Sequence, residues 1–138
     1  MGTRSGSAVS APATQSGDLR FWTVAAARSP RVLAFVTLIV VSLGLLPLYE
    51  SIWWWDIAMH SSCSAVLVAW SFRFRYSPSP ALVLLLGVSV GWEVVEASTP
   101  HFVLMAGDRV DTAGDIVSNT SGWVAATLLR RWVRYLDA

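Results

Sequence analysis

The sequence predicts an all-α membrane protein, a four-helix transmembrane bundle with both termini in the cytoplasm. Composition comes first: the 138 residues are 54% hydrophobic and 14% charged, with a mean hydropathy of +0.53, whereas soluble domains carry about a quarter charged residues. Length comes second: four stretches of roughly 20 residues, the length that crosses a hydrocarbon core, occupy most of the chain after residue 30, the fourth of them polar through its outer half and lipid-compatible only over 123–129. Third, arginine collects in alternate gaps between those stretches.

Residues 1–17, MGTRSGSAVSAPATQSG, are small and polar without apolar periodicity and read as a disordered tail. Residues 18–30, DLRFWTVAAARSP, would place Leu19, Trp22 and Ala26 on one side of a short interfacial helix, the alternative being that the tail simply enters the membrane. The first span, 31–49, is followed by YESIWWW rather than a small-residue cleavage site, so it is expected to be retained and not removed as a signal peptide. Spans at 52–72, 80–99 and 112–132 complete a single membrane domain over residues 31–138.

Arg4, Arg20, Arg28 and Arg31 precede the first span, Arg73 and Arg75 lie between the second and third, and Arg130, Arg131 and Arg134 end the fourth. Nine of the ten arginines share one side if both termini are cytoplasmic, which is the positive-inside pattern of a multi-pass plasma-membrane protein. The lipid bilayer is then the first partner. A net charge of +1 gives no basis for nucleic-acid binding. Cys63 is the single cysteine; it forms no intrachain disulfide and is expected to pack as a small buried apolar group.

The acids are distributed differently. Glu50, Asp56, Glu93, Glu96, Asp108, Asp111 and Asp115, seven of the nine, fall in the outer loops or the outer halves of the spans, a clustering that orientation does not require because acids contribute little to it. Residues four apart share a helical face, so Asp56, His60 and Ser64 form one stripe of the second span, within WWWDIAMHSSCS. The third span offers Ser89, Glu93 and Glu96 on one side, and Gly87 with Gly91 as a GxxxG pair for close packing. In the fourth, Gly114, Ser118, Gly122 and Ala126 form a small-residue face beside a polar face of Asp111, Asp115 and Asn119. That helix must be surrounded by protein, and the simplest arrangement encloses a polar cavity at the outer end of spans two, three and four.

An acid at mid-bilayer costs about 3 kcal/mol, so Asp56, Glu93, Glu96 and Asp115 together would cost on the order of 10 kcal/mol, comparable with the whole stability of a typical domain. Such groups must be hydrated, protonated, paired or bound to a cation. Carboxylates with one imidazole and one amide suit a divalent ion, with His60, Asp56, Glu93 and Asp115 as metal ligands. The possible divalent metal would serve either binding or cation-assisted chemistry on a headgroup, as in a metal-dependent membrane hydrolase. The alternative is a buried polar network in which His60 bonds Asp56 or a carboxylate of a neighbouring helix and Arg109 pairs with an outer acid. A proton relay is disfavoured because VLVAW, ALVLLLG and VAATLL leave the inner halves without titratable groups. An accessory subunit that docks on a membrane protein partner through Trp53–Trp55 is a further possibility, although interfacial tryptophans are ordinarily anchors. His101, between Pro100 and Phe102, is expected at the surface.

The order Asp56-x3-His60, Glu93 with Glu96, then Arg109-x5-Asp115-x3-Asn119-x2-Gly122 resembles the VanZ-like family of small polytopic membrane proteins. The resemblance covers roughly residues 50–125, and its most specific part is RVDTAGDIVSNTSG. Glu96 stands where the family tends to have glutamine, Ile57 replaces a common lysine, and the step from Glu93 to Arg109 is longer than usual. It implies an envelope-facing ligand site at the matched positions Asp56, His60, Glu93, Arg109, Asp115 and Asn119. There Arg109 would orient a carboxylate or phosphate-bearing lipid or envelope headgroup, and the acids with His60 would hold a cation or polar ligand.

Overall fold

The computed structural model describes residues 14–49, 51–98 and 109–138, and these are organised as five helices without a strand. In chain order they are α1 Thr14–Arg28, α2 Pro30–Gly44, α3 Trp55–Arg73, α4 Pro78–Ser98 and α5 Arg109–Asp137. Helix α1 begins inside the segment expected to be a disordered tail, because a helix once nucleated extends at little cost. The ends are set by local chemistry. Ser29 caps α2 by accepting from the Val32 N–H at 3.4 Å, Pro30 occupies the first helical position, and α1 and α2 meet there at a 65° bend. Helix α2 stops at Gly44, short of the expected 49; the Tyr49 hydroxyl donates to the Gly44 carbonyl at 2.7 Å. At the end of α3 the Tyr76 and Arg75 N–H groups donate to the Ser71 and Phe72 carbonyls, with Arg75 in the left-handed region at φ 70°. Pro78 then starts α4.

The packing centre is α3 against α4 and α5. Val68, Ala81, Leu85 and Ala126 are buried together, with Phe72, Leu82 and Trp123 against them. Trp123 Nε1 donates to the Pro78 carbonyl at 2.9 Å and fastens α5 to the start of α4. Helix α2 leans on α3, where Trp70 Nε1 donates to Thr37 Oγ1 at 2.9 Å. Helix α1 turns across to the end of α5, joined by the Arg28–Asp137 ion pair at 2.5 Å and by Arg20 donating to the Leu136 carbonyl.

The distribution of side chains is inverted relative to a soluble bundle. Among the described residues the buried set holds Ser64, Ser71, Ser89, Glu96, Asp115, Ser118, Asn119 and Thr127, more polar groups than apolar ones. Meanwhile Phe35, Leu38, Val83, Val117 and Leu128 stand outside, each more than half exposed. Such large outward apolar surfaces mark contact with lipid or another protein. Of the four expected spans, α4 alone is long and apolar enough to cross a membrane, over Pro78–Glu96 at a mean hydropathy of 1.6. The bent pair α1–α2 qualifies only if counted as one broken span. Helix α2, with 15 residues, is about 22 Å long.

Two expectations about packing are corrected. Gly87 and Gly91 are exposed, and a Cβ on either would meet nothing within 4 Å. Helix α4 instead turns Ala81, Leu85, Ser89 and Glu96 inward, and Gly87 and Gly91 lie two positions on from Leu85 and Ser89, about 200° around the helix. Cys63 is exposed rather than buried, because the inward stripe of α3 passes from Met59 to Ser64 and on to Val68.

Candidate functional site

Three helix ends meet at the acidic end of the bundle: the start of α3, the end of α4 and the start of α5. Asp56 lies in the first turn of α3, where the helix dipole favours a carboxylate, and His60 follows one turn later. Glu93 and Glu96 come from the last turns of α4, and Asp115 from the second turn of α5. His60 Nε2 lies 3.4 Å from Asp56 Oδ1 and 3.5 Å from Asp115 Oδ2. One ligand atom from each of Asp56, His60 and Asp115 falls within 4.8 Å of the others, and the same holds for Glu93, Glu96 and Asp115. Asp115, only 3% exposed, is therefore the carboxylate common to both groups.

The surroundings of the acids differ. Glu96 Oε1 accepts from Trp92 Nε1 at 2.7 Å, an i,i+4 contact on α4. Glu93 Oε1 is buried without a hydrogen-bond partner among the described residues, as is Ser89 Oγ one turn earlier. A buried carboxylate oxygen without a partner is expensive, and a cation among these side chains would satisfy it.

The His60 distances carry chemical information. Well-formed N–H···O bonds measure about 2.7–3.2 Å, so both are long for direct pairing. Two ligand atoms each about 2.1 Å from one ion at a tetrahedral angle stand about 3.4 Å apart, which is the spacing found here. Imidazole with carboxylates suits zinc, manganese or iron(II) better than calcium, which takes oxygen alone.

Deeper in the bundle a ladder of polar groups joins α3 to α5. Ser64 donates to Asn119 Oδ1 at 2.6 Å, and Ser61 donates to the Ser118 carbonyl at 3.1 Å and lies 2.9 Å from Ser121 Oγ. This ladder needs α3 and α5 close together, and Gly122 provides the approach. A Cβ there would come within 2.8 Å of Ser64 Cβ and 2.9 Å of the Ala65 nitrogen, and closer still to the Ser61 carbonyl oxygen.

The structure thus brings Asp56, His60, Glu93, Glu96 and Asp115 together, while Asn119 sits one turn deeper with its oxygen accepting from Ser64. Arg109 and Asp111 belong to the first turn of α5, but the expected roles of their side chains lie outside the described residues, as do Glu50, His101 and Asp108. The tryptophan belt divides: Trp53 and Trp54 are exposed and Trp55 is buried. Sequence reasoning missed Trp92, whose four-residue spacing to Glu96 was readable, and the Ser61–Ser118–Ser121 contacts, for which no single-helix pattern gives a signal.

No family model, curated protein or solved structure matches this chain.

Proposed function

We propose that the protein is a multi-pass membrane protein of VanZ-like type that holds a divalent cation at the outer end of its bundle and presents it to a polar lipid or envelope headgroup. The observation that carries the reading is the position of His60 Nε2, at tetrahedral-edge distance from both Asp56 and Asp115, with Asp115 shared by Glu93 and Glu96. The orphaned Glu93 oxygen adds to it. Membrane insertion is supported by the inverted burial, by the apolar length of α4 and by the separation of charge, with acids at one end of the bundle and Arg28, Arg73, Arg130 and Arg134 at the other. In this orientation the arginines face the cytoplasm of the plasma membrane, and Leu19, Phe21 and Trp22, all exposed on α1, lie in the inner interface.

The test is elemental analysis of detergent-purified protein beside His60→Ala and Asp115→Asn, with melting of all three followed with and without chelator. Stoichiometric metal in the parent, absent from both variants, and a chelator-sensitive melting temperature are expected. A metal-free parent whose melting ignores chelator would sink the cation reading and leave a structural polar network. Fractionation tests the rest separately, because a multi-pass protein stays with membranes after alkaline washing and leaves them only in detergent.

A further inference from the structure

Helices α2 and α5 both pack on neighbours, α2 on α3 and α5 on α3 and α4, but not on each other. Between them α3 forms a floor of small side chains, and α1, turned aside by the bend at Ser29–Pro30 and tied to the end of α5, closes the bottom. The result is a groove of about 590 Å³, walled by Leu33 and Val36 of α2, Ala65 and Ala69 of α3, and Ala126 and Leu129 of α5. That volume lies within the range of small-molecule sites. A larger side chain at Ala69 would raise that floor and narrow the groove where it lies between α2 and α5.

The groove is apolar, yet Arg28, Arg73, Arg130 and Arg134 line it at its arginine-bearing end. Arg28 is neutralised by Asp137. Arg130 is held in place by donating to the Tyr76 carbonyl at 3.0 Å and by lying 4.3 Å over the Phe72 ring, neither of which balances its charge. Arg73 and Arg134 make no ion pair with the described residues. Arg130 and Arg134, one turn apart on α5, repel each other. Three uncompensated guanidinium groups thus border an apolar slot. The positive-inside rule accounts for arginines at this end but not for the open slot they border.

We propose that this groove binds an anionic glycerophospholipid, with an acyl chain between α2 and α5 and the phosphate at Arg73, Arg130 and Arg134. The proposal rests on the membrane reading above, which puts this end at the cytoplasmic leaflet where anionic lipids are concentrated. Each component of the site matches one part of such a lipid. The small-residue floor admits a hydrocarbon chain, and the guanidinium forks match a phosphate.

The experiment uses the full chain, extracted in nonionic detergent, delipidated and titrated in native mass spectrometry with phosphatidylglycerol or with phosphatidylcholine of the same acyl chains. Phosphatidylglycerol is expected to bind preferentially. Arg73→Gln with Arg134→Gln should weaken it about 30-fold, at the known worth of about one surface charge contact per arginine, and the corresponding double lysine variant should retain most of it. Ala69→Phe, filling the floor with every arginine in place, should abolish binding of both lipids while the far-end metal content and the circular dichroism stay as in the parent. Equal binding of the two lipids, or glutamine variants that bind as the parent does, would overturn the proposal and leave the membrane reading intact. A lipid-free dimer that Ala69→Phe dissociates would overturn it as well, making the groove an interface between copies. A chain recovered without detergent in the soluble fraction would overturn the membrane reading itself and this proposal with it.

Discussion

At the acidic end of the α3–α5 pair the helix backbones are in near contact across Gly122, and Ser61, Ser64, Ser118 and Asn119 bond across the seam. Farther along, Ala65, Ala69 and Ala126 are just as small, yet they also border the open groove between α2 and α5. Small residues alone therefore do not decide whether helices close. Polar groups require partners at fixed distance when water is absent, so the serines and Asn119 draw α3 and α5 together. Alanine and leucine require only the exclusion of water, which a lipid chain provides as well as a helix does, and nothing forces α2 onto α5.

The largest expected effect comes from breaking the close seam. Gly122→Leu drives a side chain into the α3 backbone and should cost about 3 kcal/mol, read as a loss in denaturation of the detergent-solubilised protein. Gly114→Ala on the same helix, at a position with open space around it, should be neutral or stabilising by up to about 1 kcal/mol. Equal costs for the two would mean that the seam is not closed at Gly122.

Next is the cation. Stripping metal from a protein held at a hundredfold excess over Kd should remove about 2.7 kcal/mol of stability, and Asp115→Asn should make the melting temperature indifferent to chelator. Of the single ligand changes, Asp115→Asn is expected to act most strongly, because both ligand groups share that carboxylate.

Ser64→Ala follows. It leaves the Asn119 oxygen buried without its partner and should cost about 1–3 kcal/mol, while Ser64→Ala with Asn119→Ala should recover part of the loss; additive costs in this double-mutant cycle would mean the 2.6 Å bond contributes little. The smallest effect belongs to the other end. Ala125→Leu, which points into the groove region and is exposed, should change stability by less than about 0.5 kcal/mol. A large loss there would show that the groove is as tightly closed as the seam.

The stripes were legible wherever a single helix carries them. Asp56, His60 and Ser64, and likewise Ser89, Glu93 and Glu96, follow from a 3.6-residue period; Ser64, Ser89 and Glu96 are buried, and Asp56, His60 and Glu93 are partly so. The choice among small-residue motifs was not legible. Gly87–Gly91 and Gly122 look alike in sequence, but a glycine matters only if another backbone arrives there, and α3 arrives at Gly122 alone. The helix ends were partly legible. Pro30 and Pro78 mark starts that any reader would find, and Pro47, three residues past Gly44, marks the stop of α2, where the freed Gly44 carbonyl accepts from the Tyr49 hydroxyl.

By itself the sequence determined that the chain is helical and apolar on most faces, that most of its arginines and most of its acids fall at opposite ends of the helices, and which residues share a helical face. Those are local properties, set by composition and by the 1.5 Å rise and 100° turn of each residue. The tertiary structure alone decided that Asp115 stands between His60 and the two glutamates, that Asn119 accepts from Ser64 across the seam, that Trp55 and Cys63 exchange the inside and outside expected of them, and that α2 and α5 stay apart. Each of those depends on where a second or third helix lies. Periodicity within one helix carries no information about the azimuth, depth or separation of its neighbours.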